Sequence, residues 1–143
     1  YADDETIKRS SREWLATIHD AFEFVQRRRP NVKIGLFGYS LGGYLAAAET
    51  LLNEEVGAAV ILAGGLDPET DQIARYAAPV LILHGGADSR VHVDEAQRLE
   101  AALRRCGGAP ELHIYPTEGH VMSFPAYVDV VERSVSFLRE NLR

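Results

Sequence analysis

The sequence has little cysteine, little positive charge and no long hydrophobic run. Its one cysteine, Cys106, excludes a disulfide bond within the chain. No apolar run approaches the roughly 20 residues that a membrane-spanning helix needs, so no membrane partner is expected. Lys and Arg number 15 against 21 Asp and Glu, which leaves a net charge of −6. Because a nucleic-acid backbone is bound through positive charge, we expect no nucleic-acid partner. We also expect a cytoplasmic location.

Metal-binding signatures are also missing from the sequence. The chain has five histidines. No pair of them has metal-ligand spacing backed by cysteines or carboxylates. The sequence therefore predicts no metal and no cofactor.

The length and composition of the chain predict one domain over residues 1–143. The 143 residues are 46% hydrophobic, which is enough for a sizeable core. The first residue is Tyr1 rather than Met. We therefore expect that the chain is processed or cut from a longer protein, and that any targeting signal lies outside it.

Apolar runs of strand length alternate with helical patterns along the chain. After a loose lead-in over 1–6, helices are predicted over 10–29, 44–52, 68–76, 93–105 and 125–142, and strands over 32–37, 56–62, 80–83 and 111–115. This alternation, with continuously apolar strands, predicts an α/β fold in which helices flank a parallel sheet.

The first and last predicted helices are among those that carry apolar stripes at three- and four-residue spacing. The stripe of the first helix is formed by Trp14, Leu15, Ile18, Ala21, Phe22 and Val25. The last helix is predicted to bury Val128, Val131, Val135 and Leu138.

A glycine-rich turn joins the first predicted strand to the second helix. Residues 38–43 read Gly-Tyr-Ser-Leu-Gly-Gly, which matches the G-x-S-x-G pattern of a nucleophile elbow in the strand–turn–helix context that the elbow requires. Such a turn would present the Ser40 hydroxyl above the sheet. Gly38 and Gly42 would occupy crowded positions that leave no room for a Cβ. A plain tight turn is the alternative interpretation of this pattern.

Two further loops carry side chains that a serine nucleophile needs. Asp88 follows the third predicted strand and His120 the fourth, so the chain order is Ser, Asp, His, the order of α/β-hydrolases. Because the carboxyl ends of parallel strands share one edge of the sheet, these residues are expected to converge. Asp88 could instead cap a turn, with Glu118 and Asp94 as rival acids, and His120 could be a surface loop residue.

The motifs over 34–43, 80–88 and 115–120 resemble the α/β-hydrolase superfamily. The dienelactone hydrolase branch is the most similar, and prolyl-oligopeptidase-like esterases come second. The resemblance implies Ser40 as nucleophile, Asp88 as acid and His120 as base. Dienelactone hydrolases proper use a cysteine nucleophile, so the serine in this chain points to a general carboxylesterase.

The resemblance covers the C-terminal part of the fold. Members of the superfamily have several strands before the elbow strand, and a loop among them donates one N–H to the oxyanion. This chain has one predicted helix there and lacks the N-terminal strands, so Leu41 is the one oxyanion donor that the sequence offers. The elbow strand would then lie at an edge of the sheet. We therefore expect a partner, which would be a second copy in a homo-oligomer or a complementing N-terminal segment.

The sequence thus predicts a serine hydrolase that cleaves carboxylic ester bonds of a small-molecule substrate through an acyl-enzyme. Tyr39, Met122 and Phe124 are candidates for an apolar substrate pocket, although Met122 and Phe124 could equally pack under the last helix. The alternatives are a prolyl-oligopeptidase-like peptidase and a non-catalytic half-fold that acts as an assembly module.

Overall fold

A computed structural model describes residues 4–143, with side chains from residue 10 onward. Helices and strands alternate along this part of the chain, as the hydrophobic pattern predicts. In chain order they are α1 (Asp4–Arg28), β1 (Ile34–Tyr39), α2 (Leu41–Leu52), β2 (Val56–Leu62), α3 (Pro68–Ile73), β3 (Val80–Gly85), α4 (Val93–Arg105), β4 (Glu111–Tyr115) and α5 (Phe124–Asn141).

The four strands form one parallel sheet in the order β1-β2-β3-β4. The predicted α/β fold with a parallel sheet is therefore confirmed. The segments that contain α2, α3 and α4 return the chain from the end of one strand to the opposite end of the sheet, where the next strand begins. The loops after β1, β3 and β4 consequently start at the same edge, and these are the loops that carry Ser40, Asp88 and His120.

Both faces of the sheet are covered by apolar side chains. On one face, Ile61 and Ile82 pack with α2 and α4, where Leu51 and Leu99 are fully buried. On the other face, side chains that include Leu83 pack against α5. Because β2 and β3 are buried on both faces, they have continuous apolar sequences rather than alternating ones.

Helix α1 is longer than predicted and is less buried. It begins at Asp4, so residues 4–6 of the predicted lead-in are helical, while residues 1–3 lie outside the described residues. In its predicted apolar stripe, Phe22 is buried, but Trp14 and Val25 are each more than 40% exposed. The reason is that α1 packs mainly on α2 rather than on the sheet, which leaves much of the stripe uncovered.

The buried face of α5 is not the one that the sequence predicts. Val128, Val131 and Val135 are exposed, whereas Val130, Ser134 and Phe137 are buried, and Leu138 packs partly against the core. Helix α5 carries two apolar stripes about 100° apart around its axis, because each residue advances the helix by about 100°. The stripe that fits the sheet includes a serine, whose hydroxyl donates to the carbonyl of Val130.

Strand β1 lies at one edge of the sheet. Within residues 4–143 it is hydrogen-bonded to β2 alone. Its side chain Phe37 is 54% exposed. Among the described helices, none is long and apolar enough to span a membrane.

Candidate active site

Ser40 lies at a strained turn between the end of β1 and the start of α2. Its backbone angles are φ 55° and ψ −120°, a left-handed φ that is uncommon for a residue with a side chain. The turn is fixed by its backbone: the Ser40 N–H donates to the carbonyl of Leu62, and the Ser40 carbonyl accepts from Gly43. This geometry lifts the serine hydroxyl beyond the carboxyl edge of the sheet.

Close backbone packing explains two of the glycines around the turn. A Cβ on Gly38 would lie 2.1 Å from the carbonyl oxygen of Gly42. A Cβ on Gly43 would lie 2.9 Å from the Cα of Gly64, so α2 packs directly against the loop after β2. The prediction that Gly42 also lacks room for a Cβ is wrong, since, apart from its chain neighbours and the backbone of its own helix, no described atom lies within 4 Å of that position. The crowding comes from the Gly42 carbonyl, which faces Gly38, while the Gly42 side faces open space.

The three predicted side chains form one hydrogen-bonded chain. His120 Nε2 is 3.0 Å from Ser40 Oγ, and His120 Nδ1 is 2.8 Å from Asp88 Oδ2. The carboxylate can only accept, so Nδ1 carries the proton and Nε2 is left to accept from the serine hydroxyl. The Asp88 side chain is fully buried and that of His120 is 10% exposed, so solvent has limited access to this chain of bonds.

The carboxylate of Asp88 is held by two further donors. Its Oδ1 accepts from the backbone N–H groups of Arg90 and Val91, at 2.8 and 3.0 Å. Burial by itself raises the pKa of Asp88, but the bonds from Val91, His120 and Arg90 outweigh burial and lower the pKa below its ordinary value. The group is therefore an ionised carboxylate that faces the imidazole.

The two rival acids have other partners. Glu118 accepts from the N–H and the hydroxyl of Ser123, just before α5 begins. Asp94 lies on the surface, with its carboxylate 3.1 Å from His92 Nδ1. Of the three acids, Asp88 is the one whose carboxylate meets His120.

His84 is a buried support of the Asp88 loop that the sequence does not reveal as such. Its ring is fully buried, and Nε2 donates to the carbonyl of Val91 at 2.9 Å while lying 3.6 Å from Asp88 Oδ2. It therefore ties the end of β3 to the turn that presents the carboxylate. In the sequence, the one indication of this role is that His84 lies at the end of a strand, four residues before Asp88. The same position is equally typical of a packing residue.

The predicted pocket residues lie in three different environments. The hydroxyl of Tyr39 donates to the backbone carbonyl of His120 at 2.9 Å, and the two rings lie 5.3 Å apart. Met122 packs partly against the core under α5. Phe124 is 81% exposed at the first turn of α5. Of the three, Tyr39 is the one in direct contact with His120.

Leu41 is the first residue of α2, and its N–H lies beside Ser40. The first four N–H groups of a helix have no acceptor within the helix, and the positive end of the helix dipole lies there. This position suits an oxyanion formed at Ser40. Among residues 4–143, no cluster of His, Cys, Asp or Glu has the arrangement of a metal site.

Solved structures with a similar fold include a peptidase and an esterase. The structure superposes on Arabidopsis thaliana SOBER1 with a TM-score of 0.78 at 24% identity, covering 94% of this chain and 66% of that one. It superposes on Pyrococcus horikoshii acylaminoacyl peptidase with a TM-score of 0.74 at 16% identity, covering 90% and 28%. Esterase PE8 gives a TM-score of 0.65 at 26% identity, covering 76% and 50%. The fold is thus that of the α/β-hydrolases.

The sequence pattern of the dienelactone hydrolase family matches residues 2–130, and the chain belongs to this family. A Yersinia pestis relative named "Putative carboxymethylenebutenolidase" is 29% identical over 100 residues, covering 64% of this chain and 38% of that protein. A protein of the same name from Methylorubrum extorquens is 31% identical over 97 residues, covering 62% and 33%. The chain thus matches about a third of the length of these curated relatives.

Proposed function

We propose that the protein is a serine hydrolase that cleaves carboxylic ester bonds through an acyl-enzyme. The observation that carries the proposal is the hydrogen-bonded chain from Ser40 through His120 to Asp88, which begins at a strained turn. Membership of the dienelactone hydrolase family supports hydrolysis, and the likeness to esterase PE8 supports an ester substrate. The serine favours a general carboxylesterase.

The geometry supports a two-step reaction. His120 Nε2 takes the proton of the Ser40 hydroxyl as the oxygen attacks the ester carbonyl carbon, and the N–H of Leu41 donates to the oxyanion. Asp88 stabilises the resulting imidazolium. The tetrahedral intermediate then expels the alkoxide, which leaves as the alcohol with the proton from Nε2.

A water molecule completes the cycle, with the same imidazole nitrogen acting as the base. His120 Nε2 takes a proton from water, whose oxygen attacks the acyl carbon and forms a second oxyanion at Leu41. Collapse of this intermediate breaks the bond to Ser40 Oγ, which recovers its proton from Nε2 and releases the carboxylic acid.

A fluorophosphonate probe and p-nitrophenyl acetate test the proposal together. The wild-type protein should be labelled by the probe and should hydrolyse the ester. Ser40→Ala should show neither labelling nor hydrolysis. Ser136→Ala, at an exposed serine of α5 whose hydroxyl contacts Glu140, is the matched control and should keep both. Unchanged ester turnover in Ser40→Ala would overturn the assignment of the nucleophile. Labelling without turnover of any ester would favour a peptidase instead.

The uncovered edge of β1 supports a second candidate function. A half-fold without catalytic activity could act as an assembly module through this edge. That function predicts a chain that the fluorophosphonate probe does not label, because only an activated serine reacts. The same experiment therefore separates the two functions.

A further inference from the structure

An apolar groove of about 420 Å³ runs along the outer face of α2. This volume lies within the range of about 300–1,000 Å³ that is usual for ligand pockets. Its floor is one face of the helix, since the lining residues recur at three- and four-residue spacing. They are Leu41, Tyr44, Leu45, Ala48 and Leu52.

Two other helices form the walls of the groove. Leu15 of α1 lies on one side and Ile73 of α3 on the other. The charged side chains at the rim already have partners: Arg12 is bonded to Glu69, which links α1 to α3, and Asp67 accepts from Thr70. These pairings satisfy the rim charges within the protein, so the groove is suited to an apolar ligand rather than an anion or a cation.

One end of the groove lies at the residue that follows the proposed nucleophile. Leu41 follows Ser40 directly and is the proposed oxyanion donor, and its side chain lines the groove. Tyr44, one turn further along α2, packs against the loop after β2, where a Cβ on Gly65 would lie 3.0 Å from its ring. The floor of the groove is therefore continuous with the carboxyl edge of the sheet.

The groove has the length of a medium acyl chain. From Leu41 to Leu52 the helix rises by about 16 Å, at about 1.5 Å per residue. Each carbon–carbon bond of about 1.5 Å advances an extended chain by somewhat less than its length, so about twelve carbons fit. The acyl part of an ester stays bound to Ser40 while the alcohol departs, so a groove that begins at Leu41 suits the part that remains.

We propose that this groove binds the acyl chain of the ester substrate and makes the protein selective for esters of medium-length fatty acids. The proposal rests on the ester hydrolysis proposed above and names its substrate class. Every methylene that enters the groove should raise kcat/KM by about 2- to 4-fold, until the groove is full.

A series of p-nitrophenyl esters from acetate to hexadecanoate tests the proposal, because the alcohol is constant while the acyl chain grows. In the wild-type protein, kcat/KM should rise from acetate to decanoate and level off near dodecanoate. Ile73→Glu places a charge in the groove wall at a side chain that is 53% exposed, so the fold should be kept. It should reduce the octanoate-to-acetate ratio by at least about 10-fold, because the acyl chain would meet an unpaired carboxylate.

Two further variants make the result specific. Val135→Glu adds the same charge at an exposed β-branched side chain of α5, on the other side of the sheet, and should leave the ratio unchanged. Leu45→Trp fills the middle of the groove and should shorten the acyl chain at which kcat/KM levels off, from dodecanoate towards butyrate. Circular dichroism establishes that each variant is folded.

The possible failures are distinguishable. If the wild-type protein hydrolyses no ester of any length, the proposed function fails. If it hydrolyses acetate but kcat/KM is the same for every ester of the series, the ester function stands and the acyl groove is overturned. The same conclusion follows if the octanoate-to-acetate ratio in Ile73→Glu and Leu45→Trp equals that of the wild type.

Discussion

The hydroxyl of Tyr39 donates a hydrogen bond to the backbone carbonyl of His120, 2.9 Å away. Tyr39 is the residue before Ser40, so this bond fixes the His120 loop relative to the turn that carries the serine. It holds two chain segments, 80 residues apart in the sequence, at the distance that the His120–Ser40 hydrogen bond requires.

Removing that hydroxyl should slow the chemistry without weakening substrate binding. We expect Tyr39→Phe to lower kcat by about 2- to 10-fold, the effect of one net hydrogen bond, while KM stays unchanged. The rate of labelling by a fluorophosphonate should fall in parallel. Tyr127→Phe, at an exposed tyrosine of α5, is the control and should match the wild type. A higher KM with unchanged kcat would instead favour the predicted role of Tyr39 in substrate binding.

Replacing the Asp88 carboxylate should damage catalysis more severely. Asp88→Asn preserves the shape of the side chain but removes the charge that stabilises the imidazolium. It also replaces one of the two acceptor oxygens with an NH2 donor, which disturbs the tautomer of His120, and in a serine triad this change typically lowers kcat by about 10⁴. The measurement is steady-state hydrolysis of p-nitrophenyl acetate. Asp94→Asn alters the surface rival that lies beside His92 and should retain wild-type turnover. Comparable losses in both variants would contradict the role of Asp88.

The same carboxylate should contribute to folding stability in a pH-dependent manner. Its pKa is lowered in the folded protein, since the hydrogen bonds from Val91, His120 and Arg90 outweigh burial. The folded state therefore binds this proton less readily than the unfolded state, whose Asp pKa is about 3.9. The stabilisation is present above that value and is lost as the pH falls through the lower folded pKa.

Urea unfolding from pH 3 to 7 tests this dependence. The difference in the free energy of unfolding between the wild type and Asp88→Asn should be constant from about pH 5 to 7 and should shrink below about pH 4. A difference that persists unchanged at pH 3 would show that the charge does not contribute.

Two glycines of the elbow should respond differently to the same substitution. Gly38→Ala places a methyl group 2.1 Å from the Gly42 carbonyl oxygen, so the turn must distort and both activity and stability should fall. Gly42→Ala meets open space within α2. Because alanine is the better helix former by about 1 kcal/mol, Gly42→Ala should be neutral or slightly stabilising. Thermal unfolding and ester turnover of both variants measure the contrast, and equal losses would contradict it.

The topology of the site follows from the sequence because it depends on strand order. Continuously apolar runs identify buried parallel strands, and loops at their carboxyl ends must meet at one edge. For this reason Ser40, Asp88 and His120 could be expected to converge before any geometry was known, and the structure brings their side chains within hydrogen-bonding distance. Their catalytic roles stay predictions.

The hydrophobic pattern of the sequence does not show which of two possible helix faces is buried. Helix α5 has two apolar stripes, and only the shape of the sheet selects the one with Val130 and Phe137. The space available to a Cβ at Gly42 depends on the direction in which α2 starts after the turn at Ser40. The acyl groove is formed by the packing of α1 and α3 beside α2, and no local pattern around Leu15 or Ile73 encodes that contact.

The free edge of β1 leads to the last prediction, which concerns association. The strand is bonded to β2 alone within residues 4–143, and Phe37 on it is largely exposed. An uncovered edge with an apolar side chain is a template for pairing with another strand. We therefore expect the 143-residue chain to associate with a second copy of itself. Light scattering coupled to size-exclusion chromatography should show a mass above 15.8 kDa that rises with concentration.

Phe37→Lys should shift this equilibrium towards the monomer, since a lysine on an edge strand opposes pairing by charge repulsion and by the loss of apolar contact. Phe124→Lys makes the same substitution at an exposed phenylalanine at the start of α5, outside β1, and should leave the association as in the wild type. A wild-type chain that stays monomeric at every concentration tested would contradict association through β1. Equal effects of the two variants would place the interface elsewhere.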